Sequence, residues 1–264
     1  MLTFDVIVTR DASRSAPPLS SRSSHAIATW LSAYVSGALS RQFILGVIGP
    51  LTNGSFAVGA WLAVTHLPTL YDVRRTWVSS LASARYNPAG YAYLGAVFLA
   101  VPLMLVPLPG YLSGRFPASR MRRAGFLLLW FGIIGLFFLG VETTIFPNPG
   151  RTRFTHQLFT TLAFIGITPG FLAFSLLAWR RAWTARTSLL PATLACAVLL
   201  VPGVGAGLSH VARILGALGW ASLQTAKGDQ WFIRSFVFWE WAGVIGLFVG
   251  GWLTAWAASR EEDR

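Results

Sequence analysis

Acidic residues are scarce in this chain: nine Asp and Glu stand against 21 Lys and Arg in 264 residues, and charged residues make up only 11%. A typical soluble domain carries about 25%. A soluble fold with so little charge could not cover its surface, which excludes an ordinary water-exposed globule and leaves lipid as the main solvent. Cysteine is nearly absent too. The single Cys196 excludes an intramolecular disulfide and a Cys-rich zinc site, and it lies in an apolar stretch that marks it as packing. Tight metal-ligand spacing of the HExxH kind and a GxSxG elbow are both missing. No basic face repeats along a helix, so the net charge of +12 does not point to nucleic acid as a partner. The basic residues gather in short clusters between apolar stretches, as loops at a membrane surface do.

Hydrophobic residues, in contrast, make up 54% of the chain. They fall into six stretches near the length of about 20 residues that a bilayer requires. These run from Phe43 to His66, Ala89 to Leu112, Ala124 to Ile145, His156 to Trp179, Ser188 to Ala212 and Ser235 to Ala258. An irregular backbone cannot face lipid, so all six are predicted to be helices. The expected fold is all-α: a polytopic bundle of about six transmembrane helices over residues 41–260. Residues 1–40 form a polar tail ending in a short interfacial helix at 26–40, and 261–264 form a charged tail. With both termini cytoplasmic, 13 basic residues lie inside and 8 outside, in the sense of the positive-inside rule. Of the basic residues all but Lys227 are Arg, and Ala and Gly are abundant, the bias of a GC-rich bacterial genome. A bacterial cytoplasmic membrane is the expected location.

Pro50, Pro102, Pro169 and Pro202 fall inside predicted helices, where each removes a backbone donor and should kink its helix. Glycines in the first helix (Gly46, Gly49, Gly54, Gly59) and the last (Gly243, Gly246, Gly250) permit close helix approach, within the chain or in a homo-oligomer. The segments LVPLPG (Leu105–Gly110) and LVPGVG (Leu200–Gly205) echo each other, as halves of an inverted-repeat transporter would.

The ionisable residues within spans are few and confined to one end. On the predicted topology His66, Glu142, His156, His210 and Glu240 all lie in the non-cytoplasmic leaflet. An ionisable side chain in a membrane span is costly and is a functional hypothesis by default. His66, His156 and His210 could hold Zn²⁺ with one open position and so activate water against an ester or amide. Without metal, a His–Glu pair such as His156 with Glu142 could act as base and orienter. The competing reading is interfacial: helix ends meet water and headgroups at little cost. Asp72, Asp229, Asn53 and Tyr71 are accessory candidates. Trp239 and Trp241 flank Glu240 and could line a headgroup pocket, although most of the tryptophans fit an aromatic belt. Arg74, Arg75 and Arg85 lie on the outer side, where topology disfavours them, and suit a phosphate headgroup.

Residues 76–98 (TWVSSLASARYNPAGYAYLGAVF) and 140–164 (GVETTIFPNPGRTRFTHQLFTTLAF) resemble the bacterial and archaeal six-helix family called domain-of-unknown-function 998, which is similar in plan to the Frag1/DRAM/Sfk1 group. On that resemblance Ser79, Ser80, Asn87, Phe146, Pro147 and His156 occupy recognisable positions, and Glu240 stands for the acidic residue near the start of the last helix. Glu142-Thr143-Thr144 departs from the pattern by separating Gly140-Val141 from Phe146-Pro147. The resemblance implies a six-helix membrane fold and leans toward lipid substrates. The expected role is a lipid- or amphiphile-handling protein with a polar pocket at the outer leaflet, which includes a lipid-modifying enzyme. A small-solute or lipid transporter and a non-catalytic scaffold are the alternatives.

Overall fold

The computed structural model describes residues 19–68, 71–72, 78–146, 152–217 and 236–260, with side chains not described at 19–25, 79, 152–154, 157, 206–217 and 236–237. Every element among them is helical. Helix α1 (Leu19–Ser36) precedes the bundle, so the stretch read as a short interfacial helix begins further upstream. Helix α2 runs Arg41–Thr65, and α3 is a short turn at Val78–Leu81. Helix α4 (Tyr91–Gly114) and α5 (Arg120–Thr144) follow. The bundle is completed by α6 (Thr152–Thr184), α7 (Leu190–Ala217) and α8 (Phe236–Ser259). Among the described residues α2, α4, α5, Leu158–Thr184 of α6 and Phe238–Ser259 of α8 are long and apolar enough to cross a bilayer. Helix α7 has 28 residues, of which Leu190–Gly205 is an apolar helix. The chain is an all-α polytopic membrane bundle.

The helix starts at one end are fixed by serine caps. Ser40 Oγ accepts the Phe43 amide (3.2 Å) and Ser119 Oγ accepts the Arg122 amide (3.1 Å), each satisfying a donor that the first turn leaves free. The Ser119 cap is why α5 begins at Arg120, four residues before the apolar stretch does. Arg41, Arg115, the Arg120–Arg123 cluster, Arg181 and Arg260 collect at this end. There Arg181 donates to Arg115 O (2.8 Å) and Arg122 to Phe116 O (2.9 Å).

Two of the prolines determine contacts between elements. Pro107 has no N–H to offer Leu103 O, and helix α4 breaks at Val106. That carbonyl accepts the Val106 N–H at 3.4 Å and, more closely, the Tyr34 hydroxyl from α1 at 2.8 Å. Just upstream of Pro50, α2 widens into a π-helical stretch, Ile44–Ile48, in which Gly49 N–H reaches back to Ile44 O. The next carbonyl, Leu45 O, would pair with residue 50, which is proline; it accepts the Trp252 indole N–H of α8 instead (3.3 Å). Helix α4 runs through Pro102 and α7 through Pro202 within continuous helix. The paired LVPLPG and LVPGVG segments therefore differ in structure: the first contains the break in α4, the second lies in unbroken helix.

The helices α2, α4, α5, α6 and α8 form a ring in which each packs on the next and α8 returns to α2, while α7 packs outside against α8 and α6. Glycines let the walls close. A Cβ on Gly166 would strike the backbone of Gly132, which brings α5 and α6 into backbone contact, and one on Gly246 would lie 2.7 Å from Val198 O of α7. Across α6 and α8, the buried Ser175 and Thr254 hydroxyls meet at 2.7 Å.

Candidate functional site

The ring of five helices encloses an apolar pocket. Its walls are Ile44, Ile48, Gly49 and Thr52 of α2, Phe98, Val101, Leu105 and Leu108 of α4, and Leu136 and Leu139 of α5. Helix α6 adds Ala163, Phe164, Ile167 and Phe171, and α8 adds Val244, Leu247, Phe248, Gly251, Trp252 and Ala255. Polar groups stand at the end away from the arginines: His156 and Thr160 of α6, and Glu240 of α8. Both helices run from that end toward the basic end, so an early position on each comes to the same depth.

Local structure holds these groups. Glu240 Oε2 accepts the Val78 amide of α3 at 3.0 Å, so the carboxylate ties the short turn onto the start of α8. Val78 itself is buried and lines the pocket. Thr160 lies one helical turn after His156 on the same face. Its hydroxyl is buried and has no hydrogen-bond partner among the described residues. A buried unpaired hydroxyl in an apolar wall is unusual and calls for a partner.

At the opposite end the pocket stops. One turn beyond Leu108, Tyr111 and Leu112 are fully buried, as is Phe174 on α6, and Ala258 and Ser259 are buried on α8. The Arg115 guanidinium lies over the Tyr111 ring at 4.4 Å and closes this layer. Trp252 forms part of the side wall. It is 41% exposed, lines the pocket, and seats its ring on Gly49, where a Cβ would collide with it.

The sequence candidates are distributed unevenly around this pocket. His156 and Glu240 line it. Glu142 does not, although it is close in the fold: its Oε1 accepts the hydroxyl of Thr155, the residue before His156, and its Oε2 is buried without a partner among the described residues. His66 stands exposed in the turn after α2. Its Nδ1 lies 2.8 Å from Leu62 O and its ring 4.8 Å from that of Tyr93. The imidazole of His210, on α7, lies outside the described side chains. No three His, Cys, Asp or Glu side chains come together as metal ligands among the described residues. His66 is thus not among the residues that line the pocket with His156.

Of the groups read as headgroup contacts, Trp239 packs on Gly205 of α7 and Trp241 meets the Tyr71 ring edge-on at 6.3 Å; neither lines the pocket. Arg85 is exposed, over the Tyr86 ring at 5.5 Å. Arg74, Arg75 and Asp229 lie outside the described residues. Asn53 donates to Gly49 O of its own helix (2.8 Å). Burial, then the Asp72 carboxylate, pushes the Tyr71 phenol above its ordinary range, so it is a neutral hydroxyl at pH 7. Sequence reasoning missed Thr160 and Trp252. The four-residue step from His156 to Thr160 was visible, but nothing in the sequence said that this face looks inward.

No known family matches the chain, and neither does any curated protein or any solved structure. Fold and pocket together define a multi-pass helical membrane protein with an apolar chamber inside its bundle.

Proposed function

We propose that the protein binds an amphiphile, with the hydrocarbon part inside the ring of helices and the polar part beside His156, Thr160 and Glu240. The observation that carries this reading is the composition of one cavity: apolar along its length, polar at one end, with an unpaired Thr160 hydroxyl in the polar part. An apolar pocket with a few convergent polar groups is the usual form of a small-molecule site. The Trp252 wall supports entry from the side, since this residue both lines the pocket and is 41% exposed. With the basic end cytoplasmic, as the clustering of arginines there supports, the polar groups belong to the outer leaflet.

The test is lipid analysis of the protein purified in mild detergent, by native mass spectrometry and by extraction. Bound amphiphile is expected in the wild type and at least about tenfold less in Val244→Trp, whose indole would fill the pocket one turn below Glu240. Absence of any retained amphiphile in the wild type, or equal retention in a well-folded Val244→Trp, overturns the reading.

A lipid-modifying enzyme is one form of this proposal, resting on His156 and Glu240 facing one pocket. It requires that His156→Ala remove turnover of a phospholipid or fatty ester while leaving binding intact. The packed layer at Tyr111, Leu112 and Phe174 supports a blind binding site over a transport path through the ring. Membership in the six-helix family resembled at residues 76–98 and 140–164 is part of the same proposal. Of the positions that resemblance singles out, Asn87 is a buried amide that joins three segments, and His156 and Glu240 line the pocket.

A further inference from the structure

The geometry points to a pocket that measures the hydrocarbon chain it holds, with Ala255 and Leu108 setting the limit; this rests on the amphiphile reading above. The pocket has a mouth and a floor whose separation can be stated. Along α6 the lining runs from His156 to Phe171, and along α8 from Glu240 to Ala255, fifteen residue steps in each case. At a rise of 1.5 Å per residue both walls span about 22 Å. An extended chain of single bonds advances about 1.2 Å per atom, as the polypeptide backbone does, so this depth accommodates about 18 atoms.

The floor is a packed layer and not a gradual narrowing. Tyr111, Leu112 and Phe174 are each no more than 2% exposed, and behind them the guanidinium of Arg115 lies on Tyr111. A methyl group entering that layer would have to displace close-packed side chains, which overpacking disfavours. A chain too short leaves empty volume whose lining forfeits its contacts. Between those two penalties the pocket selects an optimum length. Ala255, 1% exposed on α8, is the small residue at that depth, and its methyl leaves the last stretch of the pocket open. In a bilayer all chains are already out of water, so discrimination comes from this fit and not from the hydrophobic effect.

The experiment is competition. Purified full-length protein in nanodiscs is offered an equimolar mixture of lysophosphatidylcholines with chains of about 10 to about 20 carbons, and the bound species are read by native mass spectrometry. Wild type should peak near the length that fills about 22 Å and discriminate at least about fivefold against chains four carbons longer. Ala255→Phe, whose ring takes up the last part of the pocket, should move the peak about four carbons shorter. Leu108→Ala, which adds room at the end of the pocket above that layer, should move it longer, and serves as the test if Ala255→Phe does not fold. An unchanged chain distribution in a folded variant that still binds overturns the ruler while leaving the amphiphile reading standing. Absence of binding by wild type overturns both.

Discussion

At the residue scale, single polar atoms explain much of the architecture. Asn87 is fully buried: it donates to Ala63 O (2.7 Å) and Leu81 O (3.1 Å) and accepts the Gly90 amide (3.1 Å), pinning three segments with one side chain. Asn87→Ala would orphan all three groups, and an expected loss of at least about 2 kcal/mol should appear as a lowered thermal midpoint in detergent. Trp252 does a comparable job for Leu45 O, the carbonyl that Pro50 leaves without a donor. Trp252→Phe keeps the ring but not the N–H. It should cost about 1–2 kcal/mol and speed lipid exchange, measured by the release rate of a fluorescent lysolipid. Thr160→Val is the informative opposite. The hydroxyl has no protein partner among the described residues, so the variant should be as stable as wild type or more so. A loss of bound amphiphile by about three- to tenfold would assign that hydroxyl to the ligand, as one hydrogen bond is worth about 0.5–1.5 kcal/mol. Of these residues, the proline effects were legible in part: Pro50 and Pro107 announce missing donors. Which groups replace them, Tyr34 and Trp252, is set by neighbours 69 and 207 residues from the carbonyls they satisfy.

At the element scale, close helix approach separates the glycines that matter from those that do not. Gly166 meets the Gly132 backbone, so Gly166→Leu should force α5 and α6 apart and abolish monodisperse protein in size-exclusion chromatography. A Cβ at Gly54 meets nothing within 4 Å, so Gly54→Ala should leave the thermal midpoint within about 0.5 kcal/mol of wild type. The sequence marks both simply as glycines in apolar helices. The face each presents follows from which helix lies opposite, and sequence spacing does not specify that. The same holds for the six apolar stretches. Their existence, and most of their boundaries, follow from length and hydropathy. That α7 packs outside the ring, with none of its described residues lining the pocket, follows from tertiary packing.

At the scale of the whole molecule, the sequence by itself determined the solvent, the fold class and the two ends. With 11% charged residues the chain needs lipid around it. Backbone hydrogen bonding in lipid then requires helices, and the arginine clusters gather at one end while the ionisable candidates gather at the other. These are one-dimensional properties, fixed by composition and the order of segments along the chain. The tertiary structure decided which of the four described ionisable candidates share a space. His156 and Glu240 line one pocket, Glu142 binds beside it, and His66 turns outward, although all were read at one depth. The physical reason is rotational. Depth in the membrane is set by position along a helix, which the sequence counts, whereas facing is set by the angle about the helix axis and by the choice of neighbours. In lipid an apolar residue is equally at home inward or outward, so hydrophobic patterning cannot choose that angle, and only close packing through glycines, orphaned carbonyls and buried hydroxyls does.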